Sequence, residues 1–229
     1  MSYSDLLELR HINIQDETDW TWVKSDKGAF GSISDGPMRE WITSHSIKYF
    51  KHVRNFNTIV SAGSNCGMHI RFYAKKFKYV YAFEPNPLSF HCMVLNNQFD
   101  NVIKLNAAVG DKPKLVDLDR KDAGNIGTHT IDLTGNVLKI PMFTIDSLCL
   151  ESCDLIQLDV EGYTLQAIKG GIKTIRKFKP VISVEYMWVE RFGVSPKDLT
   201  VFLTSLGYVF KRMYTSDAIF VHESLKFKI

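Results

Sequence analysis

A membrane-crossing run, a leader pattern and paired cysteines are not expected in this sequence. No apolar stretch among its 229 residues approaches bilayer length, and the start MSYSDLLELRH has no basic-then-apolar layout. The expectation is a cytoplasmic chain with no membrane span. Cys66, Cys92, Cys149 and Cys153 are scattered, with no CxxC and no histidine at zinc spacing, which reads as free thiols and no metal. A net charge of +3 is too small to call for a polyanionic partner, so nucleic acid is not expected. There is no internal repeat and no low-complexity tract.

What the chain does have is enough apolar content, 45%, to bury a full core, and its length favours one domain with an appendage. After residue 57, strand and helix patterns alternate. Strands are expected near 57–62, 79–84, 102–108, 154–159, 180–186, 208–214 and 217–222, with helices near 67–77, 87–97, 163–177 and 196–206. Short right-handed crossovers make this an α/β, Rossmann-like, doubly wound sheet of seven strands, mostly parallel. Only Thr215 and Ser216 separate the last two strands, so they form an antiparallel hairpin.

Two regions stand outside the alternation and set the domain plan. Residues 1–50, with Trp20, Trp22, Trp41 and a capped start at Pro37, read as an N-terminal helical lid or brace; residues 51–229 are the main domain. Residues 109–150 are polar and glycine-rich with alternating pieces, which predicts a short meander inserted over the crevice at the strands' carboxyl ends.

Three strands deliver glycine or acid at those ends. In IVSAGSNCG, Gly63 and Gly67 let backbone approach a ligand and aim helix amides at it. By itself such a turn is also a plain tight connection. Glu84, in FEPNP, stands 21 residues past Gly63, the distance at which an acid meets ribose hydroxyls. The GxGxxG of pyrophosphate sites is absent, which points away from a dehydrogenase. A ligand with ribose and adenine but no pyrophosphate, S-adenosylmethionine, fits better. The third strand end, DLIQLDVEGY, carries Asp159 and Glu161.

Taken in order, IVSAGSNCG, FEPNP, NAAVGD, TIDSL, DLIQLDVEGY and PVISVEY resemble the FkbM-like family of class I S-adenosylmethionine-dependent methyltransferases, over roughly residues 57–190. The resemblance implies that Gly63, Asn65 and Gly67 meet the methionine part of the cofactor, Glu84 with Pro85 its ribose, and Asn106, Ala107 and Ala108 its adenine. It also implies O-methylation of a sugar or glycan hydroxyl, with a secondary metabolite as another acceptor class. The family usually has an acid where this chain has Ser61; Asp159 or Glu161 is expected to take over its hold on the cofactor's ammonium.

A sugar hydroxyl reacts poorly until its proton leaves, so a base is expected at a strand's carboxyl end. Asp159, Glu161 and Glu185 qualify, with Asp159 the favoured base and the other two completing the site or binding substrate hydroxyls. Glu161 also suits a helix cap. The same three oxygens would suit a divalent cation, an alternative that chelation separates. His129, on the insertion, is a rival base. Tyr163, Tyr186 and Trp188 follow the key strands as rings on which a sugar would stack, with core packing the other reading. An RNA ribose 2′-O-methyltransferase would instead use Lys51, Asp159, Lys179 and Glu185, which occur in that order. A homodimer stays open.

Overall fold

A computed structural model describes residues 6–11, 19–26, 44, 47–118, 131–132, 139–186, 189–214 and 216–225. Apolar strands of four to seven residues build the central sheet: β3 (Thr58–Ala62), β4 (Tyr79–Phe83), β5 (Val102–Leu105), β10 (Leu155–Leu158), β11 (Val181–Glu185), β12 (Tyr208–Tyr214) and β13 (Asp217–His222). Their order is β12-β13-β11-β10-β3-β4-β5, parallel from β11 to β5, with β13 antiparallel to both neighbours. The seven strands and the closing hairpin match expectation. β3 and β10 are buried along their whole length, as strands covered on both faces must be.

Helices cover both faces: α1 (Met68–Ala74), α2 (Pro87–Asn96), α3 (Thr164–Lys169), α4 (Ile172–Phe178) and α5 (Pro196–Ser205). Their starts follow local chemistry. Asn86 caps α2 by accepting from the Leu88 and Ser89 amides, and Ser195 with Asp198 forms a capping box on α5; each helix has proline in its first turn.

The single helix expected over 163–177 is two. Gly170 lies against the backbone of Gly110, where any Cβ would collide with the Gly110 carbonyl, and it offers its own carbonyl to the Asp146 amide. The chain therefore breaks between α3 and α4, and Asp146 caps the new start through the Lys173 and Thr174 amides. The TIDSL segment thus serves as a brace for α4.

The insertion forms its own sheet, as the alternating pieces predict. β6 (Ala108–Val109), β7 (Lys114–Leu118), β8 (Ile131–Asp132) and β9 (Lys139–Phe143) lie in the order β6-β9-β7-β8. The strand expected to run to residue 108 stops at Leu105, because Ala108 and Val109 pair with β9 instead.

In the N-terminal appendage Ser44 and Ile47 are helical, within the stretch where a helix is expected. The rest of its described part includes an antiparallel pair, β1 (Leu7–His11) with β2 (Asp19–Val23), and a 3-10 turn at Phe50–His52. Pro37, Trp41 and most of the expected helix lie outside the described residues. β2 docks on α2 through Asn96, whose side chain accepts from the Thr21 amide at 2.8 Å and donates to the Thr21 and Cys66 carbonyls. Trp20 is fully buried under the Arg71 guanidinium, 4.0 Å from its ring centre. The N-terminal strand pair is thus linked through Asn96 to the turn after β3.

Candidate active site

Strand register places the site. On one face of the sheet the row Val80, Ile59, Leu155, Val181 is wholly apolar. One step toward the carboxyl ends, the row reads Ala82, Ser61, Gln157, Ser183, Ile219. One step further, Gly63 and Asp159 lie just beyond the Ala62–Leu158 pair, and Glu185 sits directly opposite Asp217. Period-two alternation puts all of these on the same face, so it turns from apolar to acidic within three rows.

The first turn is held by Glu84. Its two carboxylate oxygens accept the Asn65 amide at 2.7 Å and the Asn86 amide at 2.8 Å, tying the exits of β3 and β4 together. Glu84 is buried, and that burial pushes its carboxyl up to about 7 despite the two amides. Asn106 donates to the Glu84 and Pro85 carbonyls, so the segment Asn106, Ala107, Ala108 closes on the same wall.

Both glycines of the turn have a left-handed backbone, but they face different neighbours. A Cβ on Gly63 would collide with the Asp159 carbonyl, so this glycine lets the turn lie against the exit of β10. Gly67 instead packs on Met93 of α2 and on Asn97 just past the end of that helix, and the Asn97 side chain donates to its carbonyl. Its closeness serves helix packing. Ser61 is buried and donates to Gln157 Oε1 at 2.6 Å, so its hydroxyl is engaged across the sheet; the acid beside the turn is Asp159.

Three carboxylates converge beyond it. Oxygens of Asp159, Glu161 and Glu185 all lie within 4.8 Å of one another. Asp159 meets solvent at the mouth of the crevice, although protein surrounds it; Glu185 is more enclosed, and its Oε2 has no N–H or hydroxyl partner among the described residues. Asp159 and Glu185 lie close enough to share a hydrogen bond when one of them is protonated. Burial, then neighbouring acids, raise both carboxyls above their usual range. Glu185, raised to about 10, is the preferred holder of a proton, and Asp159, exposed and pushed up to about 7, is the more readily ionised member. Glu161, in a left-handed conformation at the strand exit, pairs with Arg191 at 2.9 Å. A divalent ion would find three oxygens here; of the cations nearby, Arg191 pairs with Glu161 and a buried lysine lies beside the row.

That lysine is Lys48, which no motif marked. Its side chain is 4% exposed and pairs with Asp217 Oδ2 at 2.8 Å; the Tyr49 hydroxyl donates to the same oxygen at 3.0 Å. Burial lowers the Lys48 ammonium from its usual range, opposed by Asp217. The only sequence signal for this group was Asp217's place at the end of the hairpin.

The expected stacking rings sit elsewhere. Tyr163 is buried in the core of the inserted sheet, edge-on to Phe192, with Lys114 donating to its hydroxyl at 3.3 Å. Tyr186 follows Glu185 and so points to the opposite face, its hydroxyl bonded to the Pro196 carbonyl and Thr200. Trp188 and His129 lie outside the described residues. The lysines of the RNA reading do not assemble with the acids either. Lys179 precedes β11, at the far end of the strand from Glu185, and bonds Ser224, while Lys51 lies over Tyr214.

The site accommodates S-adenosylmethionine on its own geometry. Asn65 Oδ1 is buried without a partner among the described residues, Glu84 is a buried acid whose ionised form gains from further donors, and Gly63 leaves the turn bare.

A family model for the methyltransferase FkbM domain matches residues 61–210. The hexuronic acid methyltransferase AglP of Haloferax volcanii is 29% identical over 149 residues, covering 62% of this chain and 59% of AglP. The chain therefore spans less than two thirds of that relative. The solved structure of methyltransferase FkbM from Methylobacillus flagellatus KT superposes at a TM-score of 0.52 with 16% identity, over 77% of this chain and 50% of that one, a likeness of fold. No described helix is long and apolar enough to cross a membrane.

Proposed function

The chain belongs to the FkbM methyltransferase family, and on that premise we propose that it methylates a hydroxyl of a sugar or glycan, with Asp159 as the general base. Its methyl donor is S-adenosylmethionine, which when bound supplies a methyl carbon made electrophilic by the adjoining sulfonium. Glu84 receives the ribose hydroxyls, Asn65 and the bare Gly63 turn meet the amino-acid end, and the wall from Asn106 to Ala108 meets the adenine. AglP is named for a hexuronic acid, which supports a sugar acceptor here.

One observation carries the assignment of the base: Asp159 is the water-accessible member of the acid row, and it lies against Gly63, where the cofactor's reactive end belongs. A cationic group beside Asp159 favours its charged form, so a bound cofactor prepares it to accept the hydroxyl proton. Glu185 keeps it oriented through the shared proton, and Glu161, fixed by Arg191, lies within reach of acceptor hydroxyls.

The test is transfer of a labelled methyl group from S-adenosylmethionine to a panel of methyl glycosides that includes hexuronic acids. The expected result is an alkali-stable ether on at least one sugar, with Asp159→Asn reducing turnover at saturating cofactor at least 10²-fold. Transfer to no sugar overturns the acceptor class; full turnover by Asp159→Asn overturns the base.

A further inference from the structure

The acid row contains more negative charge than one base needs. Reading outward from Gly63, it runs Asp159, Glu185, Asp217, with Glu161 beside Asp159. Like charges this close disfavour one another's ionisation, and a base that stays protonated accepts nothing. Arg191 compensates Glu161 on one side. On the other side the ion pair described is not made by a residue of the sheet, although β12 carries Arg212 nearby. Asp217 is the residue of β13 opposite Glu185, and the cation that meets it comes from 169 residues earlier in the chain.

We propose that Lys48 is a positioning residue of methyl transfer: by pairing with Asp217 it cancels the outermost charge of the acid row and so leaves Asp159 free to ionise. The pair is built for this. The Lys48 side chain is 4% exposed and that of Asp217 14%, so bulk water screens neither well, and the Tyr49 hydroxyl fixes the same Asp217 oxygen. Lys48 Nζ stands 5.1 Å from the Tyr49 ring centre and 5.9 Å from that of Tyr214, walled by aromatic faces that favour a cation. The charged and titratable groups near the row come from several elements, with Lys51 and Arg212 over the Tyr214 ring beside Lys48. Glu161 and Glu185 adjoin Asp159 from β10 and β11, Asp217 from β13, Lys48 and Tyr49 from the N-terminal segment, Tyr73 from α1, and Arg191 through Glu161. The appendage is then part of the catalytic apparatus as well as a brace.

The proposal rests on Asp159 as the base, and its test separates the two. The full-length protein, labelled with ¹³C at Asp and Glu side-chain carboxyls and without cofactor, is titrated by NMR, with the Asp159 signal assigned by its loss in Asp159→Asn. Lys48→Met is expected to raise the midpoint of the Asp159–Glu185 pair by about one unit, a tenfold loss of ionised base at pH values below it. Asp217→Asn, which leaves the lysine's charge in place, is expected to lower it. The double variant Lys48→Met with Asp217→Asn returns near the wild-type midpoint, and Lys48→Arg stays there too. Equal midpoints in wild type and Lys48→Met, or shifts of the same sign in Lys48→Met and Asp217→Asn, overturn the proposal. Should Lys48→Met fail to fold, Asp217→Asn decides alone: an unchanged or raised midpoint overturns it. The methyl-transfer assay of Asp159→Asn tests the base reading independently of these midpoints.

Discussion

Glu84 accepts the backbone amide of Asn65 at 2.7 Å, and this one bond sets the shape of the cofactor wall. Asn65 has a left-handed backbone (φ 47°), a conformation that asparagine tolerates better than most residues. The acid at the end of β4 thereby holds the turn after β3, and the Asn65 side-chain oxygen is left buried beside it, unpartnered among the described residues.

A buried carboxylate that holds its proton to about pH 7 gains most from new donors when ionised. Binding of S-adenosylhomocysteine is therefore expected to tighten as pH rises toward 7 and to release up to about one proton per site. Glu84→Gln should remove the proton release and weaken binding by about 1.5–3 kcal/mol, the range for a hydrogen bond to a charged group. Titration calorimetry in buffers of different ionisation enthalpy measures both.

The same group makes the unliganded fold sensitive to base. The Glu84 carboxyl is raised from 4.5 to about 7 on folding, so between those values the native state keeps a proton that the unfolded chain has lost. Stability falls as pH rises through that window, and Asp159 and Glu185, also raised, act in the same direction. Urea unfolding at pH 5 and pH 7.5 is expected to show the wild type less stable at the higher pH, with Glu84→Gln cutting the difference.

Gly63 and Gly193 share a left-handed backbone but differ in surroundings. Gly63→Ala drives a Cβ into the Asp159 carbonyl, whereas a Cβ on Gly193 meets nothing within 4 Å. Gly193→Ala is expected to cost about 1 kcal/mol, the backbone penalty alone. Gly63→Ala costs more and displaces Asp159, so it should lose cofactor binding; denaturation curves and calorimetry on both variants check this.

Ser61→Ala leaves the buried Gln157 oxygen without its donor. A loss of about 1–3 kcal/mol in unfolding free energy is expected, the cost of an unsatisfied buried polar atom. Cofactor affinity should change little, because the Ser61 hydroxyl faces the neighbouring strand. A large loss of affinity in a stable Ser61→Ala protein would return this serine to the binding surface.

The strand ends that build the crevice were legible because they depend on local pattern. Apolar runs ending in Gly63, Glu84 and Asp159 mark carboxyl ends of parallel strands wherever they occur, and Glu185 follows by the same logic. Tyr186 was misplaced for a related reason. One residue beyond Glu185, it belongs to the other face, which strand alternation states once the strand's end is known. The break between α3 and α4 was hidden, since the KGG segment alone does not reveal that Gly110 lies against it.

The order of strands and helices, the glycine-and-acid turns and the family were determined by the sequence alone, because periodicity and turn chemistry act over a few residues. Tertiary structure alone decided that Ser61 faces Gln157, that Gly67 serves α2, and that Lys48 meets Asp217. Those contacts join residues 96, 30 and 169 positions apart. They arise from strand register and from the docking of the N-terminal segment on the sheet, and neither leaves a repeating local trace in the chain.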